Sequence, residues 1–366
     1  MKKVQSIDKV FLGLTLLLAL GGLFVFTSAS FGLFVRKGFS LYDLLFDQVV
    51  LGLVLGLIAM YGMSRAPLQL LRTYALPIFI GAILFTLLVF VPHIGFAYGG
   101  AHRWISFGPI SFQPSELLKL GTVIYFAALL PVFKDHISTL KYAVGVSLGV
   151  LVVPAIILLA EPDTGTFAVL LFAVVAMLLA MGMKFRHFGL LFLLSVVLIA
   201  GLAFAKPYVM ERLLTFFDSS RDPQGSSYQI QKSLVAIGSG GITGRGFGQS
   251  IQKFGSLPEP TGDSVFAVVG EEFGLIGGGA IILLFLLFGI RGLQIARKAP
   301  DMFESLLAVG IVILIVSQSF ANIAAMLGLI PLTGVPLVFV SHGGSALLFA
   351  FVEIGILLNI SKSSKA

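Results

Sequence analysis

Residues 257–290 read LPEPTGDSVFAVVGEEFGLIGGGAIILLFLLFGI, in which a polar loop runs directly into a long apolar segment. The apolar part is long enough to cross a bilayer, because a spanning helix needs about 20 mostly apolar residues. Asp263 stands at the boundary, where a carboxylate meets both water and molecules anchored in the membrane. We therefore expect a membrane protein, and Asp263 is the leading candidate for acid–base chemistry on a lipid-linked substrate.

The composition of the whole chain indicates an integral membrane protein. Of the 366 residues, 57% are hydrophobic and 11% are charged, whereas soluble domains carry about 25% charged residues. The chain has no cysteine, which excludes disulfides, thiolate metal sites and a cysteine nucleophile. Its net charge of +7 comes from basic residues scattered at the ends of apolar segments, so we expect no nucleic-acid partner.

Ten apolar segments of membrane-spanning length follow one another along the chain. They begin near Val10, Gln48, Tyr74, Ser115, Tyr142, Thr164, Phe188, Ser264, Glu304 and Leu337. The sequence therefore predicts an all-α polytopic membrane protein of ten transmembrane helices, forming a single domain over residues 1–366. The stretch from about 206 to 263 predicts one large loop that contains short helices on the membrane surface.

The distribution of Lys and Arg predicts the orientation in the membrane. Basic residues accumulate in segments on the side of the N-terminus, for example at Arg65, Lys134, Lys184 and Arg297, and are sparse in the short loops opposite. Cytoplasmic loops carry the excess of Lys and Arg. Both termini are therefore expected in the cytoplasm, and the 206–263 loop outside the cell.

Charged residues near the fourth apolar segment are candidates for substrate contacts. Glu116 and Lys119 share a helix face at i and i+3, and charges at membrane depth usually pair or line a cavity. A structural ion pair and a direct substrate role are both open for them. Arg103 offers bidentate recognition of a pyrophosphate, but Arg103 and Trp104 also fit an anchor at headgroup level, which their position favours.

The Gly-rich run (238–248) contains Arg245 and is followed by Lys253. It lacks the order of a nucleotide-binding loop, so we expect a flexible or tightly turning loop whose two cations could meet an anion. For Asp263 the alternative role is a helix cap, because a side-chain oxygen at a helix start accepts hydrogen bonds from free backbone amides.

Eight motifs, taken in order, resemble the SEDS proteins (shape, elongation, division, sporulation). They are FQPSE at 112–116, EPDTGT at 161–166, DPQGSSYQ at 222–229, QKSLVAIGSGG at 231–241, GRGFGQS at 244–250, QK at 252–253, LPE at 257–259 and TGVP at 333–336. The run that ends in Lys253 is more similar to the division member, FtsW, than to the elongation member, RodA.

The resemblance implies a peptidoglycan glycosyltransferase that polymerises lipid II into β-1,4-linked glycan at the outer face of the bacterial cytoplasmic membrane. Asp263 matches the family's essential aspartate, which would act as general base in an inverting displacement. Trp104, Glu116 and Lys119 match positions regarded as functional. Four residues depart from the family pattern: Gly262, Ser264, Val338 and His342.

The resemblance also implies partners, namely a class B penicillin-binding protein (a transpeptidase) and the divisome. The leaving pyrophosphate needs positive charge, either from a divalent cation such as Mg²⁺ or Mn²⁺ or from Arg103, Lys119 and Arg245.

Two alternatives stay open, a non-catalytic scaffold and a lipid II flippase or ion-coupled transporter. A transporter would relay protons through charged residues inside the apolar segments: Glu116, Lys119, Glu271, Glu272 and Glu353. Its indispensable carboxylate would lie at mid-membrane, whereas a polymerase needs one at the outer boundary. The paired glutamates, Glu271 and Glu272, fit either a relay or a polar network around the cavity of Asp263.

Overall fold

The computed structural model describes residues 6–35, 46–98, 101–107, 110–191, 193, 201, 204, 206–218 and 226–363. We number its helices along the chain: α1 Lys9–Ser30, α2 Phe46–Met63, α3 Leu68–Thr73, α4 Ala75–Leu87, α5 Pro114–Leu129, α6 Leu140–Ala160, α7 Thr164–Ala180, α8 Pro207–Phe217, α9 Ser226–Gly240, α10 Val265–Lys298, α11 Met302–Met326 and α12 Gly344–Ser363. Residues 185–191 are also helical. Short 3₁₀ turns follow α1, α4 and α5, and a fourth covers Gln252–Phe254.

The predicted polytopic architecture is confirmed. Among the described residues, seven helices are long and apolar enough to cross a membrane, namely α1, α2, α5, α6, α10, α11 and α12. Two shorter apolar helices, Ala75–Phe90 and Thr164–Ala180, coincide with two further predicted spans. The span predicted near Phe188 is helical over 185–191 and then falls mainly outside the described residues. The number ten therefore stays a prediction.

The last helix begins at Gly344 and not near Leu337, where the sequence analysis placed it. Residues 331–343, which we call the final loop, are irregular, and none of them is exposed. Gly334 and Phe339 have φ values of +69° and +68°, which a right-handed helix does not accommodate. Irregular backbone is tolerated in a membrane protein where the protein itself buries it.

The loop between α4 and α5 contains a small sheet that the all-α prediction missed. Strands β1 (Gly95–Tyr98), β2 (Ala101–Phe107) and β3 (Ile110–Phe112) pair antiparallel in the order β1-β2-β3. The aromatic and β-branched residues of β2 favour a strand. The sheet leads directly to Pro114, which begins α5 in the first-turn position that proline tolerates.

Helix α11 is the central helix among those described, because it packs against α5, α7, α9, α10 and α12. Helix α12 packs along α2, and α10 packs against α1 and α9. The short helices predicted in the 206–263 stretch are present as α8 and α9. Their position on the membrane surface stays a prediction.

Helix α10 is broken at Gly274, where φ is +62° and ψ is −158°. The Gly-rich run lies against this break and replaces the missing helical hydrogen bonds. Before the break, the amides of Arg245 and Gly246 donate to the carbonyls of Glu271 and Glu272, at 3.0 and 2.9 Å. The run is therefore held by backbone hydrogen bonds, and the sequence analysis missed that function of its glycines.

The same pairing continues after the break. The amides of Leu275 and Ile276 donate to the carbonyls of Gly241 and Ile242, at 2.9 and 3.1 Å. Such close backbone contact needs glycine at Gly244, because a Cβ there would lie 2.1 Å from the carbonyl oxygen of Glu272.

Gly244→Ala should therefore unfold at a markedly lower temperature than the wild type. Its φ of +81° and the backbone clash together should cost about 2–5 kcal/mol. Gly241→Ala is the matched control, because it also has positive φ (+57°) but no heavy atom within 4 Å of its Cβ. Thermal unfolding in detergent measures both, and equal losses would show that the close approach at Gly244 is unimportant.

Candidate active site

Asp263 lies in the turn that leads into α10, one residue before the N-cap residue, Ser264. Within the described residues, the Asp263 carboxylate accepts no hydrogen bond from the first turn of α10, and neither does the Ser264 side chain. The Asp263 carboxylate therefore makes no capping contact, and it lies just before the start of α10 without a hydrogen bond to that helix.

The backbone at this turn is fixed by α11 and by the final loop. The side-chain amide of Asn322 donates both to the carbonyl of Asp263, at 2.8 Å, and to that of Val335, at 2.9 Å. The hydroxyl of Ser341 donates to the carbonyl of Gly262 at 2.8 Å. The turn and the final loop are thus tied to each other through the central helix.

Two arginines and Asp263 converge beside Gly334 in the final loop. A methyl group placed on Gly334 would lie 3.6 Å from Arg212 Nη2, 3.7 Å from Arg103 Nη1 and 3.8 Å from Asp263 Oδ2. The position of a Cβ on Gly334 would therefore be in van der Waals contact with two guanidinium groups and one carboxylate, so these three groups lie close together. The sequence analysis had grouped Arg103 with possible substrate contacts, and the structure places it with Asp263.

Arg103 is held in this position by the turn between α6 and α7. Its Nε donates to the carbonyl of Glu161 at 3.1 Å, and its Nη2 donates to the carbonyl of Pro162. Its Nη1 lies 3.8 Å from Asp163 Oδ1. Asp163 is fixed in turn as the N-cap of α7, where it accepts from the amide of Thr166 at 3.1 Å. The guanidinium group is thus oriented before any ligand arrives.

The environment of Asp263 raises the pKa of its carboxyl group towards neutral pH. Burial, and then the charge of Glu259, raises the pKa of Asp263 to about 6, while Arg103 and Arg212 oppose the rise and Asp163 adds to it. A general base works best when its pKa lies near the operating pH. Asp263 is therefore ionised at neutral pH and still basic enough to accept a proton.

Glu161 is a buried titratable group in the turn that holds Arg103. Both of its carboxylate oxygens are buried without a hydrogen-bond partner among the described residues. Burial, and then the charge of Asp163, raises the pKa of Glu161 to about 8, against the opposing effect of Arg103. Glu161 therefore carries a proton at neutral pH.

Glu116 and Lys119 form the ion pair that their spacing predicted, with Nζ 2.9 Å from Glu116 Oε2. Lys119 also donates to Gln318 Oε1 at 2.6 Å, and Gln318 Nε2 donates to the carbonyl of Pro336 at 3.1 Å. The buried Glu353 lines the same small cavity. The pair thus supports the final loop through Gln318, and a direct substrate role for it stays a prediction.

Lys253 and Arg245 contact the glutamates of α10. Lys253 is fully buried, and its Nζ donates to Glu272 at 2.6 Å and to Ser28 at 3.0 Å. Arg245 is partly exposed, with Nε 3.6 Å from Glu271 Oε1. These contacts hold the Gly-rich run against α10, so Glu271 and Glu272 belong to a polar network with that run. That this network lies around the cavity of Asp263 stays a prediction. Substrate contacts of Lys253 and Arg245 stay predictions.

Trp104 follows Arg103 on β2 and pairs with Phe96 on β1. Consecutive residues of a strand point to opposite faces. Because Arg103 points into the site, the half-buried Trp104 ring lies on the other face of the sheet, and both its substrate role and its anchor role stay open.

Two of the departures from the family pattern are accommodated locally. The hydroxyl of Ser264 accepts from Gln229 Nε2 at 3.0 Å, which joins α9 to the start of α10. Burial lowers the pKa of His342 to about 4, so its ring is neutral, and it stacks on Phe26 with centroids 5.9 Å apart.

The described residues contain no group of three or more His, Cys, Asp or Glu side chains that could hold a metal ion. Mg²⁺ is commonly bound by one or two carboxylates together with phosphate oxygens of a substrate. Asp263 and the neighbouring Glu259 fit that donor set, so the site is compatible with a metal that arrives with its substrate.

Sequence reasoning missed Arg212, Asn322 and Gly334. A signal for Gly334 was present, because it lies in the TGVP motif, and Asp163 likewise lies in EPDTGT. Arg212 lies on α8 outside every motif, and nothing local distinguishes Asn322 from other polar residues on α11.

Comparison with known proteins gives matches over almost the whole chain. The family model described as Cell cycle protein (FTSW_RODA_SPOVE) matches residues 8–366. Stage V sporulation protein E of Bacillus subtilis (strain 168) is 36% identical over 365 residues, covering 99% of both chains. The probable peptidoglycan glycosyltransferase FtsW of Geobacter sp. (strain M18) is 35% identical over 361 residues, covering 99% of this chain and 98% of that protein.

Solved structures share the fold. A chain from a peptidoglycan synthase complex, studied for the coordination of polymerization and crosslinking, superposes with a TM-score of 0.74 at 27% identity, covering 97% of both chains. The rod shape determining protein RodA of Thermus thermophilus superposes with a TM-score of 0.68 at 24% identity, covering 98% of both chains. The second match concerns the fold alone.

The protonated state of Glu161 predicts a pH-dependent stability. A carboxyl group whose pKa rises from 4.5 to about 8 on folding stabilises the fold below about pH 4.5, and this contribution is lost as the pH rises through 8. Its size is on the order of a few kcal/mol. In Glu161→Gln, an uncharged isostere, the loss of thermal stability between pH 4.5 and 8 should be smaller than in the wild type.

The exposed carboxylate Glu211 on α8 provides the control, since Glu211→Gln should melt with the pH dependence of the wild type. Identical melting curves for Glu161→Gln and the wild type at every pH would contradict the assignment of a proton to Glu161.

Proposed function

Because the chain belongs to the FtsW/RodA/SpoVE family of cell cycle proteins, we propose that it is an inverting peptidoglycan glycosyltransferase. Its substrate is lipid II, and its role is septal cell-wall synthesis at the outer face of the cytoplasmic membrane. Two relatives that are 35% identical to this chain are named for this activity. The structural observation that carries the proposal is the convergence of Asp263, Arg103 and Arg212 beside Gly334.

Asp263 acts as the general base. Its carboxylate takes the proton from the 4-hydroxyl of the acceptor sugar while that oxygen attacks the anomeric carbon of the donor. The bond from this carbon to the lipid pyrophosphate breaks, and its electron pair leaves with the pyrophosphate. Attack and departure on opposite faces convert the α-linked donor into a β-linked product. A pKa of about 6 lets Asp263 return the proton to water at neutral pH.

Arg103 and Arg212 stabilise the negative charge of the leaving pyrophosphate. Guanidinium groups bind phosphate oxygens in a bidentate manner, and donors that are oriented in advance stabilise developing charge most effectively. Arg103 meets that condition through its contacts with Asp163 and two carbonyls. A divalent cation, held by Glu259 together with the pyrophosphate, would supply further charge neutralisation there.

The proposal includes a transpeptidase partner of the class B penicillin-binding type. A chain of similar fold belongs to a peptidoglycan synthase complex that combines polymerization with crosslinking. The excess of Lys and Arg in the loops on the side of the N-terminus supports termini in the cytoplasm and a 206–263 stretch outside the cell. In that orientation the glycan would emerge on the side where a transpeptidase crosslinks it.

The transporter alternative is less well supported. A relay needs carboxylates that exchange protons freely, but Glu272 is paired with the buried Lys253. Glu271 accepts from the hydroxyl of Ser250 at 2.6 Å and from the amide of Ile251 at 3.0 Å. These contacts suit structural anchors more than proton carriers.

Asp263→Asn tests the enzyme directly. Purified protein incubated with lipid II, with and without the transpeptidase, should lose glycan synthesis about 100- to 10,000-fold, the usual contribution of a general base. The amide keeps the size and polarity of the side chain, so expression, folding and partner binding should be unchanged.

Asp301→Asn is the matched control. Asp301 caps α11 by accepting from the amide of Glu304 at 2.8 Å, and Asn caps as well as Asp. Glycan synthesis by Asp263→Asn at the level of this control would refute the catalytic assignment.

The neighbours of Asp263 should shift the pH profile of glycan synthesis in opposite directions. In the wild type, kcat/KM should rise with pH through about 6, because only the ionised carboxylate accepts a proton. Arg212→Gln removes a charge that lowers the pKa of Asp263, so the midpoint should move to higher pH. Glu259→Gln removes a charge that raises it, so the midpoint should move to lower pH.

Arg65→Gln, a change at an exposed cation that contacts Tyr61, should leave the midpoint in place. Shifts of the same sign for the Arg212 and Glu259 variants would exclude the electrostatic explanation.

A further inference from the structure

A groove lies between α5 and α6, at the ends of these helices that are remote from Asp263. It has a volume of about 420 Å³, within the usual range of roughly 300–1,000 Å³ for a ligand site. One wall comes from α5 and the turn after it, and the other from the first three turns of α6. Its lining includes Tyr125, Leu129, Phe133, Lys141, Gly145 and Gly149.

The position of the groove follows from the course of the two helices. Helix α5 starts at Pro114, directly after the sheet that carries Arg103, and runs away from the candidate active site. The groove begins where α5 ends and α6 starts. It therefore opens on the opposite side of the membrane, the side of the basic loops, which is the cytoplasmic side by the distribution of Lys and Arg.

The shape of the groove suits a hydrocarbon chain. Gly145 and Gly149 are one turn apart on α6, and a Cβ built on either has no heavy atom within 4 Å. Together with Lys141, one turn earlier, they extend over about 12 Å of helix. Leu129 and Phe133 face them with apolar surface. Larger residues at the two glycine positions would fill this space.

The end of the groove nearest the start of α6 carries a positive charge, from Lys141. Lys141 is exposed and has no ion pair or hydrogen bond within the described part of the chain. The preceding turn contributes Lys134 and Asp135, whose charges offset each other, and His136, which stacks on the ring of Tyr142 at 4.8 Å. The net charge at this end is therefore that of Lys141.

We propose that this groove binds one anionic phospholipid of the cytoplasmic leaflet. An acyl chain lies along Gly145 and Gly149, and the headgroup phosphate meets Lys141. Basic pockets between transmembrane helices on the cytoplasmic side bind anionic headgroups. A zwitterionic lipid fills the same groove but brings its own cation to Lys141, so the groove favours a headgroup with net negative charge.

Native mass spectrometry of the purified full-length protein tests the proposal. The protein is mixed in detergent with equal amounts of phosphatidylglycerol and phosphatidylcholine, and retained lipids are counted. The wild type should retain one phosphatidylglycerol preferentially. Lys141→Gln should weaken that retention about fivefold, because one basic residue contributes about this factor to anionic lipid binding. Gly145→Leu should abolish retention of both lipids.

The controls separate the groove from general lipid association. Lys184→Gln removes a cation from another loop on the same side, and Gly21→Leu adds a side chain on α1, where a Cβ also has no heavy atom within 4 Å. Both should retain phosphatidylglycerol like the wild type. Gly145→Leu should fold, since its Cβ meets open space, and thermal unfolding checks this. If it does not fold, Lys141→Gln alone decides the outcome.

Equal retention of the two lipids by the wild type would overturn the proposal. So would preferential phosphatidylglycerol retention that survives in Lys141→Gln. Because lipid retention is measured without lipid II, the result is independent of the proposed enzymatic function.

Discussion

The side chain of Asn322 holds together the parts from which the candidate site is built. Its amide donates to the carbonyls of Asp263 and Val335, which belong to segments far apart in the sequence. Val335 follows Gly334, so one side chain sets the position of the Asp263 backbone relative to the final loop. Leaving a buried carbonyl unsatisfied costs about 1–3 kcal/mol. Here the NH2 group of one side chain donates to two carbonyls. The geometry of the site thus depends on the central helix.

The protein treats its buried charges in two different ways. Glu272 with Lys253 and Glu116 with Lys119 are close pairs at 2.6 and 2.9 Å, because an unpaired charge is expensive away from water. The Asp263 carboxylate has no such close ion pair within the described residues, although Arg103 and Arg212 are near enough for their charges to lower its pKa. The paired charges hold helices and loops together. The Asp263 carboxylate has no ion-pair partner among the described residues, so it is available to a substrate.

A second constraint is that backbone polar groups inside a membrane protein need partners. The break of α10 at Gly274 frees several such groups, and the Gly-rich run supplies their replacements. The final loop meets the same requirement: Asn322 and Gln318 donate to the carbonyls of Val335 and Pro336, and the amide of Leu337 donates to the Ser341 hydroxyl. Irregular backbone therefore occurs where neighbouring segments satisfy it, and one such place is beside Asp263.

Local properties of the sequence determined the membrane class, the position of most helices, the Glu116–Lys119 pair and the candidate carboxylate. Long apolar segments, charged residues at their ends and i, i+3 spacing are local patterns, so they can be recognised in the amino-acid sequence. The sheet around Trp104 was missed, because strands of 4, 7 and 3 residues are too short to show a clear alternating pattern.

The tertiary structure alone decided which residues meet Asp263. Arg103 comes from the sheet, Arg212 from α8 and Gly334 from the final loop, and no periodicity relates these positions. Tertiary packing also explains why the Gly-rich run is hydrogen-bonded to the broken helix α10. It likewise explains why the last helix begins at Gly344 and not near Leu337. The physical reason is the same in each case: side-chain direction and hydrogen bonds between distant segments depend on packing, which local sequence patterns do not contain.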